Sequence, residues 1–474
     1  MIRIENVSPR LLDAQYAVRG PIVLRAQELE AQGRKIIYCN IGNPQALKQR
    51  PLTYLRQLLS LVEYPELLGH PDALKLYPRD IIERAKVIFE RHPHGTGAYS
   101  QSPGIPFIRQ AVAEFISRRD GVPADKEHVI LTDGASKGAQ AVMTALLRGP
   151  SDGFMIPIPQ YPLYSASLAL FGGRQIGYYL DEHHGWELDE AVLSESARKA
   201  ISGGVQPVGI VVINPGNPTG AVLSEENIRM VIRFAREHNL AIIADEVYQE
   251  NVYDPADRFY SFARVMWEMN EKEVSLFSLH SVSKGFLGEC GHRGGYLEIR
   301  NVPEEVLAQF IKLQSISLCA NIVGQIATYM MVAPPVPGDQ SYPLYEQERA
   351  AVLRDLKAKA EILGKGINSI RGMSVDIPRG AMYAFVRFEL PGLEDKPHLA
   401  PEDRRKLEEG RDEEYCLALL EQTGICVVPG SGFGQIPGTM HFRTTFLPPR
   451  DEIEQLVTKL KEFHERYAKE LAEA

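Results

Sequence analysis

The sequence predicts an α/β protein with a largely parallel sheet, because short apolar strands alternate with amphipathic helical patterns through its middle. Apolar runs at residues 129–132, 154–159, 208–213 and 240–244 each lead into a turn rich in Gly, Pro, Asn, Asp or Ser. A strand–helix–strand rhythm of this kind is typical of parallel sheets. Ligand-binding groups should therefore gather beyond the carboxyl ends of these strands.

Composition places the chain among soluble globular proteins and excludes several classes of function. Of its 474 residues, 44% are hydrophobic and 24% are charged, and the net charge is -9. That acidity argues against a general surface for nucleic acid or anionic membranes. The five cysteines lack CxxC spacing, so neither a disulfide framework nor a zinc site is indicated.

We expect no targeting segment at the N-terminus. The first residues lack the apolar region of a secretory signal and the Arg- and Ser-rich character of a transit peptide. No apolar run approaches the length needed to span a bilayer. We therefore expect a cytoplasmic protein in a reducing compartment.

The pattern changes near residue 345, which predicts a second, smaller domain. A Pro-rich stretch at residues 333–338 precedes a long helix over 347–368, and apolar strands follow at 382–387, 425–428 and 440–446. The charged run at 391–414 is most simply a solvated insertion. The predicted divisions are residues 1–70 as an N-terminal arm and part of the small domain, 71–345 as the large domain, and 346–474 as the C-terminal small domain.

Lys284 is the residue around which the rest of the chain is expected to be organised. The apolar run at residues 273–279 reads as a buried strand that delivers this lysine into a glycine-rich turn. An amine held among apolar walls and near a second cation loses its charge more easily, and then forms a Schiff base with an aldehyde. The alternative is a surface lysine on a loop.

Three other turns suggest a ligand site, although each also has a purely structural interpretation. Ser136 follows the strand at 129–132 and precedes an Ala-rich helix over 139–147, so this turn is either an anion site or a plain strand-to-helix turn. Asp245 ends the run at 240–244, where it either caps a helix or pairs with a cationic atom. Gly42 lies after a short strand and either turns the chain or admits a ligand closely.

An ordered set of short motifs resembles the pyridoxal-phosphate-dependent aminotransferases of fold type I. The set consists of Asn-Pro-Thr-Gly at 217–220, Asp-Glu-Val-Tyr at 245–248, Ser-Val-Ser-Lys at 281–284 and then Arg293. The resemblance implies a large domain with a mostly parallel central sheet and a smaller α+β domain built from both chain ends. It also implies pyridoxal 5'-phosphate as the cofactor.

Four further segments resemble the alanine aminotransferase subgroup, which includes plant glutamate:glyoxylate enzymes. These segments are residues 40–47, 97–100, 156–165 and 427–435. The implied reaction moves an amino group between L-alanine and 2-oxoglutarate. Animal alanine enzymes more often carry an acidic residue and a small residue where this chain has Asn43-Pro44, which leaves fine substrate preference open.

Alternative activities remain open at the level of sequence. They are a glutamate:glyoxylate or other small amino acid aminotransferase, a pyridoxal-phosphate-dependent β-lyase, and an aminocyclopropane-carboxylate-type synthase. A ligand-sensing, non-catalytic homologue is a further alternative. No basic or helix-turn-helix-like segment precedes the first motif, which disfavours that regulator.

The resemblance also implies a role for each catalytic position. Lys284 would form the Schiff base and then move a proton between substrate and cofactor carbons. Asp245 would pair with the pyridine nitrogen, and the ring of Tyr161 would stack on the pyridine. Tyr248 and Asn217 would hydrogen-bond the phenolic oxygen of the cofactor.

Phosphate and substrate binding are implied in the same way. Ala135, Ser136, Ser281 and Arg293 would hold the phosphate. Tyr99 would reach the phosphate of a neighbouring subunit, which implies a homodimer. Arg443 would grip the substrate α-carboxylate, assisted by the backbone of Gly42 and by Asn217. Amino acids and 2-oxo acids are therefore the expected partners, with no metal, nucleic acid or membrane.

Overall fold

The computed structural model describes residues 2–16, 20–391 and 410–473, and its main feature is a seven-stranded sheet. The strand order is β2-β8-β7-β6-β5-β3-β4, and β3 to β7 run parallel, whereas β8 is antiparallel to both its neighbours. These strands are β2 (Val129–Thr132), β3 (Asp152–Ile158), β4 (Arg174–Tyr179), β5 (Gln206–Ile213), β6 (Ala241–Asp245), β7 (Leu276–Ser281) and β8 (Gly295–Arg300). The predicted α/β class with a mostly parallel sheet is confirmed.

A smaller domain contains the remaining strands. A two-stranded parallel sheet pairs the N-terminal β1 with β11, and a four-stranded antiparallel sheet has the order β12-β13-β10-β9. The strands are β1 (Ile37–Tyr38), β9 (Met373–Ser374), β10 (Tyr383–Phe388), β11 (Ile425–Cys426), β12 (Val428–Pro429) and β13 (His441–Thr445). Because β1 pairs with β11, both chain ends build this domain, as expected.

Helices cover the three sheets and connect the two domains. The first eight are α1 (Pro9–Asp13), α2 (Pro21–Ala31), α3 (Thr53–Glu63), α4 (Ala73–Leu76), α5 (Arg79–Arg91), α6 (Pro106–Asp120), α7 (Ala135–Leu146) and α8 (Leu163–Phe171). The others are α9 (Glu190–Ser202), α10 (Glu225–Glu237), α11 (Phe262–Glu268), α12 (Glu304–Ile316), α13 (Ile322–Val332), α14 (Tyr342–Asn368), α15 (Arg411–Thr423) and α16 (Arg450–Glu473). Among the residues described, no helix is both long and apolar enough to cross a membrane.

Several predicted boundaries were displaced, and three of the displacements have a local reason. The helix expected over 139–147 begins earlier, at Ala135. The sequence pattern near residues 16–32 predicts an amphipathic helix, but this helix begins at Pro21, because Gly20 precedes it and proline suits the first helical position. The helix expected from residue 347 begins earlier, at Tyr342, since proline is tolerated in a first turn. The strand expected over 273–279 begins at Leu276, because the Glu271 carboxylate accepts hydrogen bonds from the backbone N–H groups of residues 273 and 274.

Core packing separates the first 70 residues into two parts. Leu29 of α2 and Ile37 of β1 pack in a core with Leu363 and Leu460 from the C-terminal part. Leu58 of α3 instead belongs to a core shared with α5, α6 and α13 of the large domain. The domain limits at residues 70 and 345 stay predictions, and this packing favours a first limit nearer residue 50. Most of the charged run at 391–414 lies outside the described residues, and α15 begins at its end.

Candidate active site

A cavity of about 440 Å³ lies where β5, β6 and β7 end, and the small-domain strands β10 and β13 contribute to its wall. All of the predicted site residues except Tyr99 line this cavity. They are Gly42, Ala135, Ser136, Tyr161, Asn217, Asp245, Tyr248, Ser281, Lys284, Arg293 and Arg443. The topology therefore brings together residues that are up to about 400 positions apart in the chain, as expected beyond the carboxyl ends of parallel strands.

Tyr99 does not line the cavity. It is 76% exposed on the surface of this chain. Its predicted role lies in the site of a second subunit, so its exposure here leaves that role a prediction. Lys137, which follows Ser136, is exposed as well and is not part of the cavity wall.

Lys284 follows the fully buried strand β7 and projects into the cavity. Its amine donates a hydrogen bond to the Gly42 carbonyl at 2.7 Å and lies 5.7 Å from the centre of the Tyr248 ring. The Cys290 thiol borders the same carbonyl, with its sulfur 3.8 Å from the oxygen. The lysine is thus a partly buried group in the cavity wall, and the alternative of a surface lysine on a loop is wrong.

The pKa of Lys284 is shifted in the direction opposite to the sequence expectation. Burial lowers the pKa of this amine, but Tyr383 and Cys290 outweigh that effect, and the pKa is raised above its ordinary value. The nearby cation Arg443 lowers the pKa of Lys284, as expected, but its effect is smaller than the combined upward effects. The direction of this shift is opposite to the expectation of an easily deprotonated amine.

Asp245 is the last residue of β6 and is buried beneath the cavity. Its Oδ2 accepts a 2.6 Å hydrogen bond from the hydroxyl of Tyr164 on α8. Its Oδ1 is buried and has no hydrogen-bond partner within the described ranges. Burial raises the pKa of Asp245, against the opposing effects of the Tyr164 hydroxyl, the Val247 N–H and Lys284. A buried acceptor without a partner is costly unless a ligand supplies a donor.

An anion-binding corner lies at the start of α7. Ser136 is in the first turn of this helix, where backbone N–H groups and the helix dipole favour negative charge. Arg293 extends an exposed guanidinium to the same place, with one Nη2–Oγ distance to Ser136 of 3.4 Å. Gly134 has φ 80°, and a Cβ there would lie 2.5 Å from the arginine Nη2, so the approach requires glycine.

Arg443 on β13 is almost completely buried and faces the cavity from the small domain. Its Nη1 donates to the Asn217 side-chain oxygen at 3.2 Å, and its Nη2 donates to the Asn40 carbonyl. Because the Asn217 oxygen is engaged, its amide nitrogen is the group left to bind an acceptor. The guanidinium lies 4.2 Å from the ring centre of Tyr383 and 4.6 Å from that of Phe433.

The cavity also contains residues that sequence reasoning missed. Tyr16 hydrogen-bonds the Tyr161 hydroxyl at 2.7 Å, although its sequence pattern suggested the start of a helix. Tyr383 was recognised only as part of a strand, and Cys290 only as part of the lysine turn. Tyr164 lies behind the cavity wall, in the segment 156–165 that carries the family resemblance, and no local signal marks it as the hydrogen-bond partner of Asp245.

Comparison with known proteins gives consistent matches across the chain. A family model described as "Aminotransferase class I and II" matches residues 69–460. A protein of Dictyostelium discoideum named "Probable alanine aminotransferase, mitochondrial" is 47% identical, over 98% of this chain and 89% of its own length. The Arabidopsis thaliana protein named "Glutamate--glyoxylate aminotransferase 2" is 44% identical, over 99% of this chain and 97% of its own length.

A solved structure agrees with the sequence matches. The alanine aminotransferase from Pyrococcus furiosus superposes with a TM-score of 0.77 at 26% identity, covering 97% of this chain and 100% of its own. An Escherichia coli aminotransferase superposes with a TM-score of 0.76, also at 26% identity, over 97% and 98% of the two chains. Fold and sequence thus point to the same family.

Proposed function

The chain belongs to the class I and II aminotransferases, and we propose that it moves an amino group reversibly between L-alanine and 2-oxoglutarate. The observation that carries this proposal is the placement of Lys284, Asp245 and Arg443 around one cavity. Relatives named alanine aminotransferase support the choice of alanine. Relatives named glutamate–glyoxylate aminotransferase, at 44% and 45% identity, support glyoxylate as the alternative acceptor.

Pyridoxal 5'-phosphate is the cofactor that fits the side chains of this cavity. The unpartnered Asp245 Oδ1 is an acceptor for the N–H of a protonated pyridine. Ser136 and Arg293 form a corner suited to a phosphate, and Lys284 supplies an amine for an aldehyde. When bound, the cofactor supplies that aldehyde and a ring that accepts electrons from the substrate.

Different side chains of the cavity would have different roles in amino transfer. Lys284 would hold the cofactor covalently and, once released by the incoming substrate, carry a proton between the substrate Cα and the cofactor. Asp245 would keep the ring nitrogen protonated, which the Tyr164 hydroxyl supports by fixing the other carboxylate oxygen. Tyr248 and Asn217 would hydrogen-bond the phenolic oxygen, and Tyr161 would cover the ring.

Half-reactions on the purified, cofactor-loaded enzyme test this function. We expect L-alanine and L-glutamate each to convert the aldehyde form of the cofactor to its amine form, and pyruvate and 2-oxoglutarate to reverse the change. Glycine conversion and glyoxylate reversal at higher rates would favour the alternative acceptor. Irreversible loss of the substrate side chain would instead indicate a β-lyase, and the absence of any conversion would indicate a ligand-sensing homologue.

Replacing Arg443 by lysine should damage the alanine and glutamate half-reactions alike. The two-point fork that holds a carboxylate is lost with lysine, and both substrates present the same α-carboxylate. We expect kcat/KM for each substrate to fall at least about tenfold, because a factor of that size corresponds to the free energy of one charged hydrogen bond. Arg387 on β10 is the matched control, because its guanidinium pairs with Glu182 and does not line the cavity.

A selective effect of Arg443→Lys would contradict this placement of the substrate. If the variant lost glutamate conversion and kept alanine conversion, Arg443 would hold the distal carboxylate of glutamate. The protein should bind the distal carboxylate of glutamate more weakly than the α-carboxylate, because the same site must also admit the methyl side chain of alanine.

We also propose that the protein works as a homodimer in the cytosol. Tyr99 supports the dimer. It lies in the segment 97–100 that resembles the family, and because it is 76% exposed it could reach the site of a second subunit. Sedimentation velocity at assay concentrations would measure the mass, and a monomer that remains fully active would overturn the dimer. Cell fractionation would test the compartment, since the Dictyostelium relative is named as mitochondrial.

A further inference from the structure

Tyr383 is a fully buried tyrosine in the cavity wall, and the resemblance assigned it no role. It is the first residue of β10 and is 2% exposed. β10 pairs with β13 so that Phe385 lies opposite Arg443 and Tyr383 lies opposite Thr445. Tyr383 and Arg443 are therefore diagonal neighbours on one face of the sheet.

The hydroxyl of Tyr383 points toward the groups around Lys284. A Cβ built on Gly42 would lie 1.7 Å from the Tyr383 hydroxyl oxygen and 3.0 Å from the Lys284 Nζ. The hydroxyl and the amine therefore border one point in space, and only glycine at position 42 leaves room for both. The Tyr248 hydroxyl donates to the Tyr383 hydroxyl at 3.4 Å, which adds a second contact on the lysine side.

The ring of Tyr383 contacts the other end of the site. The Arg443 guanidinium carbon lies 4.2 Å from the ring centre, well inside the range of a cation–π contact. Such a contact is strongest where water is excluded, and Arg443 is only 1% exposed. One rigid side chain thus touches both the lysine that moves the proton and the arginine that holds the substrate.

We infer that Tyr383 is a positioning residue, whose hydroxyl holds the Lys284 amine and whose ring fixes the guanidinium of Arg443. The inference rests on the proposed aminotransferase function. It concerns two separable parts of one side chain, and each part has its own consequence. The hydroxyl affects proton transfer, whereas the ring affects the grip on the α-carboxylate.

The charges of the two groups support the hydroxyl contact. Burial raises the pKa of the Tyr383 phenol, but Lys284 and Arg443 outweigh it, and that pKa is lowered from its ordinary value. Tyr383 in turn is the main group that raises the pKa of Lys284 against the effect of burial. Removing the hydroxyl should therefore lower the pKa of the lysine amine, because its stabilising partner is gone.

Tyr383→Phe separates the hydroxyl from the ring. We expect kcat of the alanine half-reaction to fall about tenfold to a hundredfold, as for a misplaced catalytic group, with KM within about twofold of the wild type. In the cofactor-free protein, reductive methylation of Lys284 across a pH series, read by peptide mass spectrometry, should show its midpoint at lower pH. Tyr383→Leu, which also removes the ring, should raise KM for alanine and glutamate together.

Tyr178→Phe is the control for losing a buried hydroxyl. Tyr178 is 1% exposed and donates to the Val211 carbonyl away from this cavity, so its variant should keep both the wild-type kcat and the wild-type labelling midpoint. Unchanged kcat and an unchanged midpoint in Tyr383→Phe would overturn the inference. A raised KM with unchanged kcat in that variant would also overturn it, since the hydroxyl would then only pack against substrate.

The methylation measurement distinguishes failure of this inference from failure of the proposed function. If the wild type converts no amino acid, the function is wrong, yet the Lys284 midpoint in the cofactor-free protein still tests the hydroxyl contact. If the wild type is active and Tyr383→Phe changes neither kcat nor the Lys284 midpoint, the proposed function is retained and the role of Tyr383 is wrong.

Discussion

Replacing Lys284 by alanine should lower the rate of the alanine half-reaction at least about ten-thousandfold, since a base in the transition state and a nucleophile are lost together. The variant should still bind pyridoxal phosphate, because Asp245, Ser136 and Arg293 remain to hold the ring and the phosphate. Absorbance of the bound cofactor should change to that of the free aldehyde. Stopped-flow conversion and equilibrium dialysis measure the two effects.

Borohydride reduction followed by peptide mapping identifies the attachment point directly. We expect the reduced cofactor on Lys284 in the wild type and on no peptide in Lys284→Ala. Lys137→Ala is the matched control, because Lys137 lies beside the same helix start but is exposed and outside the cavity. A label on any lysine other than Lys284 shows that the assignment is wrong.

Asp245→Asn should lower turnover at least about a hundredfold, because the size of the side chain is kept and its charge is removed. The amide cannot stabilise a protonated ring nitrogen as the carboxylate does. It can still accept the hydrogen bond that Tyr164 donates, so the fold around β6 should be preserved. Turnover of both half-reactions, with KM measured separately, tests the expected loss in kcat.

The neighbouring residue provides the control for Asp245. Glu246 is buried as well, but its carboxylate accepts from the Phe262 N–H on the other side of the strand and does not line the cavity. Burial raises the pKa of Glu246 to about 8, so it is mostly protonated at neutral pH and glutamine resembles that form. Glu246→Gln should therefore retain turnover within about threefold. Equal losses in both variants would show that Asp245 acts through the fold, and near-normal turnover in Asp245→Asn would eliminate its role at the ring nitrogen.

The sequence predicted the parts of the site that depend on local patterns. Apolar runs ending in glycine, asparagine or aspartate marked the strand ends, and β2 was placed with the limits that the structure shows. Strand ends in a parallel sheet lie together, so Ser136, Asp245 and Ser281 could be grouped before the fold was known. The order of the family motifs along the chain identified the residues expected to bind the cofactor and the substrate.

The remaining contacts depend on long-range pairing, which no local pattern reveals. Tyr383 meets Arg443 only because β10 pairs with β13 in a particular register. Tyr164 reaches Asp245 across 81 positions of sequence, through the packing of α8 on the sheet. The raised pKa of Lys284 reflects the balance of burial against those neighbours, and burial alone suggested the opposite direction.

The lysine and the arginine of the site are anchored in different hydrophobic cores. Val282 and Phe286 beside Lys284 belong to the core of the large domain, whereas Phe442 and Phe446 beside Arg443 belong to that of the small domain. Substitutions in the second core at positions other than Tyr383 can thus shift the guanidinium while the lysine and the anion-binding corner stay in place. For the divergence of such enzymes, this means that selection can alter how strongly the α-carboxylate of amino acids is bound without having to rebuild the chemistry.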